Sequence, residues 1–213
     1  MECRDYTEID EDKKMKVIAA TGNKNKLIEF QEILKPFNIE ITTFENEGYD
    51  PIEVVEDGTT FEENSYKKAR EIMEATGMAA IADDSGLEVD ALLGAPGVYS
   101  ARFAGENAGD RENNLKLMEL LKDVPEKDRS AQFHCVITLI FTDGERIIAE
   151  GIVSGHMITE PRGDKGFGYD PLFIPEGYEK TFGELENEAK NRISHRGKAL
   201  RQLMEELKNR DSF

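Results

Sequence analysis

The segment AQFHCVITLIFT, residues 131–142, constrains the fold more than any other part of this chain. Ala131, Phe133, Cys135, Ile137, Leu139 and Phe141 fall on one face of an alternating pattern, so it reads as a long strand. Asp143-Gly144 follows as a hairpin turn, and residues 146–158 supply the return strand, with Gly151 and Gly155 as bulge or close-approach sites. A long antiparallel hairpin is therefore built in.

The chain before it reads differently. Val17, Ile18, Ala19 and Ala20 form a short apolar run, after which Leu27, Phe30 and Leu34 recur at helical spacing until Pro36. A second helix starts at Thr60 with Glu63, a capping box, carries Ala69, Ile72 and Met73 on one face, and stops at Gly77. Residues 79–82 read as a small-residue strand ending at Asp83, and Gly94, Pro96 and Gly97 mark a turn-rich loop. Further helices are expected from Asp110 through Leu121 and, capped by Ser194, through Leu200, Leu203, Met204 and Leu207. Strand, helix and hairpin in this order predict an α/β fold. Residues 1–14 form an acidic leader expected to be poorly ordered, and residues 15–213 read as a single domain.

Composition removes several functions. Lys and Arg number 27 against 44 Asp and Glu, a net charge of −17, which disfavours nucleic acid polymers and anionic membranes as partners. Two cysteines, Cys3 and Cys135, are too few for a disulfide framework, and no apolar run is long enough to span a bilayer. A cytoplasmic location is expected. Any anionic ligand must be held by a local cluster or a metal.

Four segments offer such chemistry. Thr21-Gly22-Asn23-Lys24-Asn25-Lys26 lies between strand and helix, where backbone N–H groups and the positive end of the helix dipole suit a phosphate; a polar helix cap explains it equally. Asp83-Asp84-Ser85-Gly86 places paired carboxylates where they suit Mg²⁺, or else forms an Asp-Ser-Gly turn. In Gly166-Phe167-Gly168-Tyr169-Asp170-Pro171, aromatics alternate with glycines, as a stacking platform for a purine or as a turn with one buried ring. Lys190 with Ser194-His195-Arg196 is a donor-rich group whose donors match a purine 6-oxo oxygen rather than an amine.

TGNKNK, TFEENSYKKA, ADDSGLEVDAL, APGVYSARFAG, FGYDPLF and SHRGKAL, in this order, resemble the inosine triphosphate pyrophosphatase family of non-canonical purine nucleoside triphosphate diphosphatases. The resemblance implies a long mixed β-sheet with flanking helices and two lobes around a central nucleotide cleft. It implies hydrolysis of ITP, dITP or XTP to the monophosphate and pyrophosphate, with Mg²⁺ or Mn²⁺, in a homodimer. Carried over position by position, Asp84 is the proton acceptor and a metal ligand, with Glu56 and then Asp83 as further ligands. Thr21, Gly22, Asn23, Lys24, Asn25 and Lys26 bind the triphosphate. Ser85, Phe167, Gly168, Tyr169, Asp170, Lys190, His195 and Arg196 contact the rest of the substrate. Two other classes stay open: a nucleotide sensor, which would not need the Asp83-Asp84 pair, and a Maf-like diphosphatase acting on modified pyrimidines or dTTP.

Overall fold

A computed structural model describes residues 14–209. The acidic leader through residue 13, and Cys3 within it, lie outside the described residues.

Six strands form one mixed sheet in the order β2-β1-β3-β4-β5-β6. Strand β1 (Met15–Ala19) runs into helix α1 (Lys24–Leu34), and β2 (Ile39–Thr42) pairs parallel to β1. Helix α2 (Phe61–Thr76) leads to β3 (Ala80–Val89), which is parallel to β1 and antiparallel to β4 (Ser130–Ile140). Helix α3 (Asp110–Leu121) lies between β3 and β4, and the expected hairpin joins β4 to β5 (Arg146–Met157). The short β6 (Phe173–Pro175) closes the edge, and α4 (Asn187–Ile193) and α5 (His195–Lys208) end the described chain.

Local chemistry sets these boundaries. Thr60 Oγ1 accepts from Glu63 N at 3.1 Å while Glu63 Oε2 accepts from Thr60 N at 3.2 Å, so two otherwise unpaired donors of α2 are satisfied reciprocally. Gly77, at φ +66°, terminates that helix in the left-handed conformation. Ser194 caps α5 by accepting from Gly197 N at 3.1 Å. Gly151 and Gly155 are close approaches and not bulges: the β4–β5 register runs unbroken through both. A Cβ on Gly151 would stand 2.1 Å from His195 O and 2.5 Å from Ala199 N, so only glycine lets α5 lie on β5 there.

Strand β3 departs from expectation. It does not end at Asp83 but continues to Val89, so both aspartates sit in mid-strand. The reason lies in the core. Ile81, Ile137, Leu139 and Ala149 pack with α1 and α5 on one face of the sheet, and Ala80, Ala82 and Ile140 pack with Ala69 and Ile72 of α2 on the other. Farther along the same strands, Leu87, Val89, Phe133, Val153 and Met157 belong to a separate core with Leu117, Phe173 and Phe182. The molecule is thus bilobed. Residues 83–86 of β3 bridge the lobes at a polar waist that no apolar cluster fills.

Candidate active site

Strand alternation divides the two aspartates between opposite faces of the sheet. Asp83, 1% exposed, faces α1 and α5: its Oδ2 meets Arg196 Nη2 at 2.7 Å, Arg196 Nε at 3.1 Å and Lys26 Nζ at 3.1 Å. Burial alone would push its carboxyl up, but Arg196, Lys26 and Lys68 outweigh that and hold it far below the usual aspartate range. Asp83 is therefore a permanently charged anchor. Its Oδ2 is taken by these cations and it lines neither cavity of the cleft, so the structure does not bring it beside Glu56 as the further metal ligand that the resemblance implied.

Asp84 faces α2 instead. Its Oδ2 accepts from Asn64 Nδ2 at 2.9 Å, and its Oδ1 lies 3.8 Å from Lys68 Nζ. Burial raises its carboxyl, Lys68 lowers it and Glu56 raises it again, leaving it above the ordinary range. An aspartate so placed suits proton acceptance at neutral pH. Lys68 Nζ also donates to Glu56 Oε1 at 2.9 Å and to the Asp83 carbonyl at 2.7 Å. The Glu56 and Asp84 carboxylates thus converge on a single cationic centre and supply the oxygen donors that Mg²⁺ prefers. No group of three His, Cys, Asp or Glu side chains able to hold a metal occurs among the described residues, so phosphate oxygens and water would have to complete any such site.

A cavity of about 540 Å³ opens over this centre, lined by Thr21, Gly22, Asn23, Lys26, Glu56, Lys68, Asp84, Ser85 and Arg102 among others. Asn23 is the N-cap of α1: its Oδ1 accepts from Asn25 N at 2.9 Å and Lys26 N at 3.3 Å, so the loop is a helix cap and a cavity wall at once. Lys24 and Asn25 of the same motif line neither this cavity nor the next one. Asn25 instead lines a smaller adjoining cavity of about 100 Å³ with Glu29, Phe167 and Lys190, and Lys24 is exposed.

The second cavity, about 120 Å³, is lined by Phe167, Gly168, Tyr169, Asp170, Lys190 and His195. It shares Asn23, Lys26, Ser85 and Ala101 with the first, so the two form one cleft. Tyr169 is mostly structural, since its hydroxyl donates to Ser100 O at 2.8 Å inside the core. Phe167 remains the more open aromatic wall, with Lys190 Nζ 4.7 Å from its centroid. Lys190 Nζ donates to Asp170 Oδ2 at 2.6 Å, and the same oxygen accepts from Phe167 N at 2.8 Å, which fixes the loop. His195 stacks on Phe133 at 4.8 Å, and its Nδ1 is buried without a partner. Burial first, then Arg196 and Lys190, push its imidazole well below the usual histidine range, so it is neutral.

Arg196 is the main departure from the sequence-based site. It is 1% exposed and lines neither cavity. Its guanidinium is engaged by Asp83, by Glu29 Oε2 at 2.5 Å and by Ser85 Oγ at 2.8 Å, so it stands behind the cleft. Glu29 also receives Lys190 at 3.5 Å, which completes a buried chain of alternating charge: Asp170, Lys190, Glu29, Arg196, Asp83, Lys26. Sequence reasoning missed Glu29, Asn64, Lys68 and Arg102. The signal for two of them was present: Asn64 and Lys68 occupy the stripe of α2 that Phe61, Ala69 and Ile72 bury.

A larger cavity, about 740 Å³, lies elsewhere and is lined by Phe61, Glu62, Glu88, Tyr99, His134 and Glu150, with no Lys or Arg. Its charge is wrong for a triphosphate. Among the described residues no helix is long and apolar enough to cross a membrane.

A model of the Ham1 family matches residues 17–206. The chain is 53% identical over 194 residues to a dITP/XTP pyrophosphatase of Desulforamulus reducens, covering 91% of this chain and 96% of that protein. It is 50% identical over 199 residues to a dITP/XTP pyrophosphatase of Clostridium perfringens, covering 91% and 97%. The solved structure of a HAM1 protein from Coxiella burnetii is similar with a TM-score of 0.82 at 42% identity, covering 91% of this chain and 98% of that one. The Staphylococcus aureus Ham1 protein is similar with a TM-score of 0.80 at 40% identity and the same coverage.

Proposed function

The chain belongs to the Ham1 family, and from that premise we propose that it hydrolyses the non-canonical purine nucleoside triphosphates ITP, dITP and XTP to monophosphate and pyrophosphate, cleansing the nucleotide pool. The observation that carries this reading is the shared wall of Asn23, Lys26, Ser85 and Ala101. A purine against Phe167 and His195 leaves its phosphates beside Lys26, Lys68 and Arg102.

In this mechanism Asp84 accepts a proton from the water that attacks the α-phosphorus. A new P–O bond forms, the bond from the α-phosphorus to the α,β-bridging oxygen breaks, and pyrophosphate leaves. Lys26, Lys68 and Arg102 offset the charge that grows on the leaving group. Glu56 and Asp84 would hold Mg²⁺ or Mn²⁺, which supplies neutralisation of phosphate charge when bound. At the base end neutral His195, which lines the cavity, donates to a 6-oxo oxygen from a ring nitrogen protonated toward the ligand and meets an adenine amine with a clash of donors. Such a mismatch disfavours ATP by about 1–3 kcal/mol. The proposal extends to a cytoplasmic homodimer that takes free nucleotides; the net charge of −17 supports only the exclusion of nucleic acid polymers.

The test is release of pyrophosphate and orthophosphate from a panel of nucleoside triphosphates, with and without Mg²⁺. Pyrophosphate from ITP, dITP and XTP well ahead of ATP is expected, and only with the metal present. Orthophosphate as first product would overturn attack at the α-phosphorus. Binding without turnover would make the protein a sensor.

A further inference from the structure

The two carboxylates of the cleft come from unrelated places. Asp84 is in mid-strand on β3, whereas Glu56 lies in the irregular segment before α2. Something must fix their spacing, because a carboxylate on a loop is otherwise free to swing away from one on a strand. Two side chains, Lys68 and Asn64, touch both sides. Asn64, with no exposed surface, donates from Nδ2 to Asp84 Oδ2 at 2.9 Å and accepts at Oδ1 from Gly58 N at 2.8 Å, two residues beyond Glu56.

The neighbouring anchors either act on one side only or meet both without a fixed geometry. Glu63 accepts from Thr59 N at 2.7 Å and Thr60 N at 3.2 Å, which ties the segment to the start of α2 without reaching Asp84. Arg102 Nη2 donates to the Glu56 carbonyl at 3.2 Å, and Lys68 meets both carboxylates as a flexible ammonium that carries no orientation of its own. The planar amide of Asn64 presents a donor and an acceptor in fixed opposition. Gly58 is shaped to receive it: a Cβ there would stand 2.6 Å from Asn64 Oδ1 and 2.8 Å from Glu63 Cβ.

We propose that Asn64 is a positioning residue that sets the spacing of the Asp84 and Glu56 carboxylates, orienting Asp84 through its amide NH₂ and latching the Glu56 segment through its carbonyl. The inference rests on the reading of Asp84 as proton acceptor. Two substitutions divide its two contacts. Asn64→Asp keeps an oxygen for the Gly58 amide and removes the donor to Asp84; Asn64→Ala removes both.

Steady-state kinetics on ITP with Mg²⁺, thermal melting and amide hydrogen exchange of the metal-free, nucleotide-free protein make the test. Asn64→Asp should lower kcat by about 10–100-fold with KM changed by less than about threefold, while the Gly58 amide stays protected. Asn64→Ala should lower kcat at least as far and also release the Gly58 amide to fast exchange. A folded Asn64→Asp enzyme with unchanged kcat overturns the orienting role, and an Asn64→Ala enzyme with Gly58 still protected overturns the latch. Should both variants fail to fold, the unmodified protein still decides, because fast exchange of its Gly58 amide also overturns the latch. Absence of any pyrophosphate release by the unmodified enzyme would instead defeat the parent reading, so the two failures are distinct.

Discussion

At the scale of single residues, identical neighbours acquire opposite properties. Asp83 is held charged by Arg196 and Lys26 while Asp84, one residue on, is pushed up by burial and by Glu56. His195 and Arg196 divide in the same way: the imidazole faces the cleft and the guanidinium is spent on Asp83 and Glu29. Chain adjacency shows which residues are near the chemistry but not which way each one faces, so the expectation that Arg196 reads the base was legible yet misassigned. The buried imidazole carries a pH consequence. Its folded-state pKa lies well below the unfolded value of about 6.5, so the unfolded chain binds a proton that the folded protein refuses. The stability it contributes is complete above about pH 7.5 and is lost as pH falls from about 6.5 toward its folded pKa, by up to about 1.4 kcal/mol per pH unit. Asp84 and Asp170, both raised, act with the opposite sign, penalising the fold as pH rises. Urea unfolding between pH 5 and 7.5 should therefore show a shallower acid-side loss in His195→Gln than in the unmodified protein; parallel curves would mean that the imidazole takes its proton inside the fold.

At the scale of elements, the caps and the hairpin were legible because each is a local bargain between residues close in sequence. Thr60 with Glu63, Ser194, Gly77 and Asp143-Gly144 all do in the structure what their spacing implied. The length of β3 was not legible. Asp83, Asp84 and Ser85 read as a strand end because carboxylates rarely sit in a buried strand, and what permits them is supplied from far away. Arg196 is 113 residues from Asp83 in sequence, and Asn64 is 20 from Asp84. The same dependence makes α5 part of the site, since its first turn carries His195 and Arg196 and its seat on β5 depends on Gly151. Gly151→Ala would force a methyl group against His195 O and Ala199 N, lifting that first turn. Destabilisation by about 1–3 kcal/mol is expected in urea unfolding, together with a rise in KM for ITP as the base wall shifts. An unchanged KM in a destabilised variant would show that α5 moves without the cleft.

At the scale of the whole molecule, a chain of net charge −17 has to attract a polyanionic ligand. It does so by confining Lys26, Lys68 and Arg102 to one cleft wall, between lobes whose outer surfaces repel anions. Distance separates the two effects. Beyond the Debye length, about 10 Å at 0.1 M salt, the net charge opposes approach, and salt weakens that opposition; inside the cleft the cations are largely buried and screened much less. Lys68 is 7% exposed, and its ammonium is kept charged because Asp84, Glu56 and Asp83 outweigh the effect of burial. Adding inert salt from about 0.01 to 0.1 M should therefore raise kcat/KM for ITP while leaving kcat nearly constant, the reverse of an enzyme that steers its substrate with a basic face. The measurement is initial rates at subsaturating ITP with free Mg²⁺ held fixed. A steady fall across that range would mean that the positive cleft governs encounter at long distance as well. The lobes would then serve only to enclose the nucleotide, and not to set how fast it arrives.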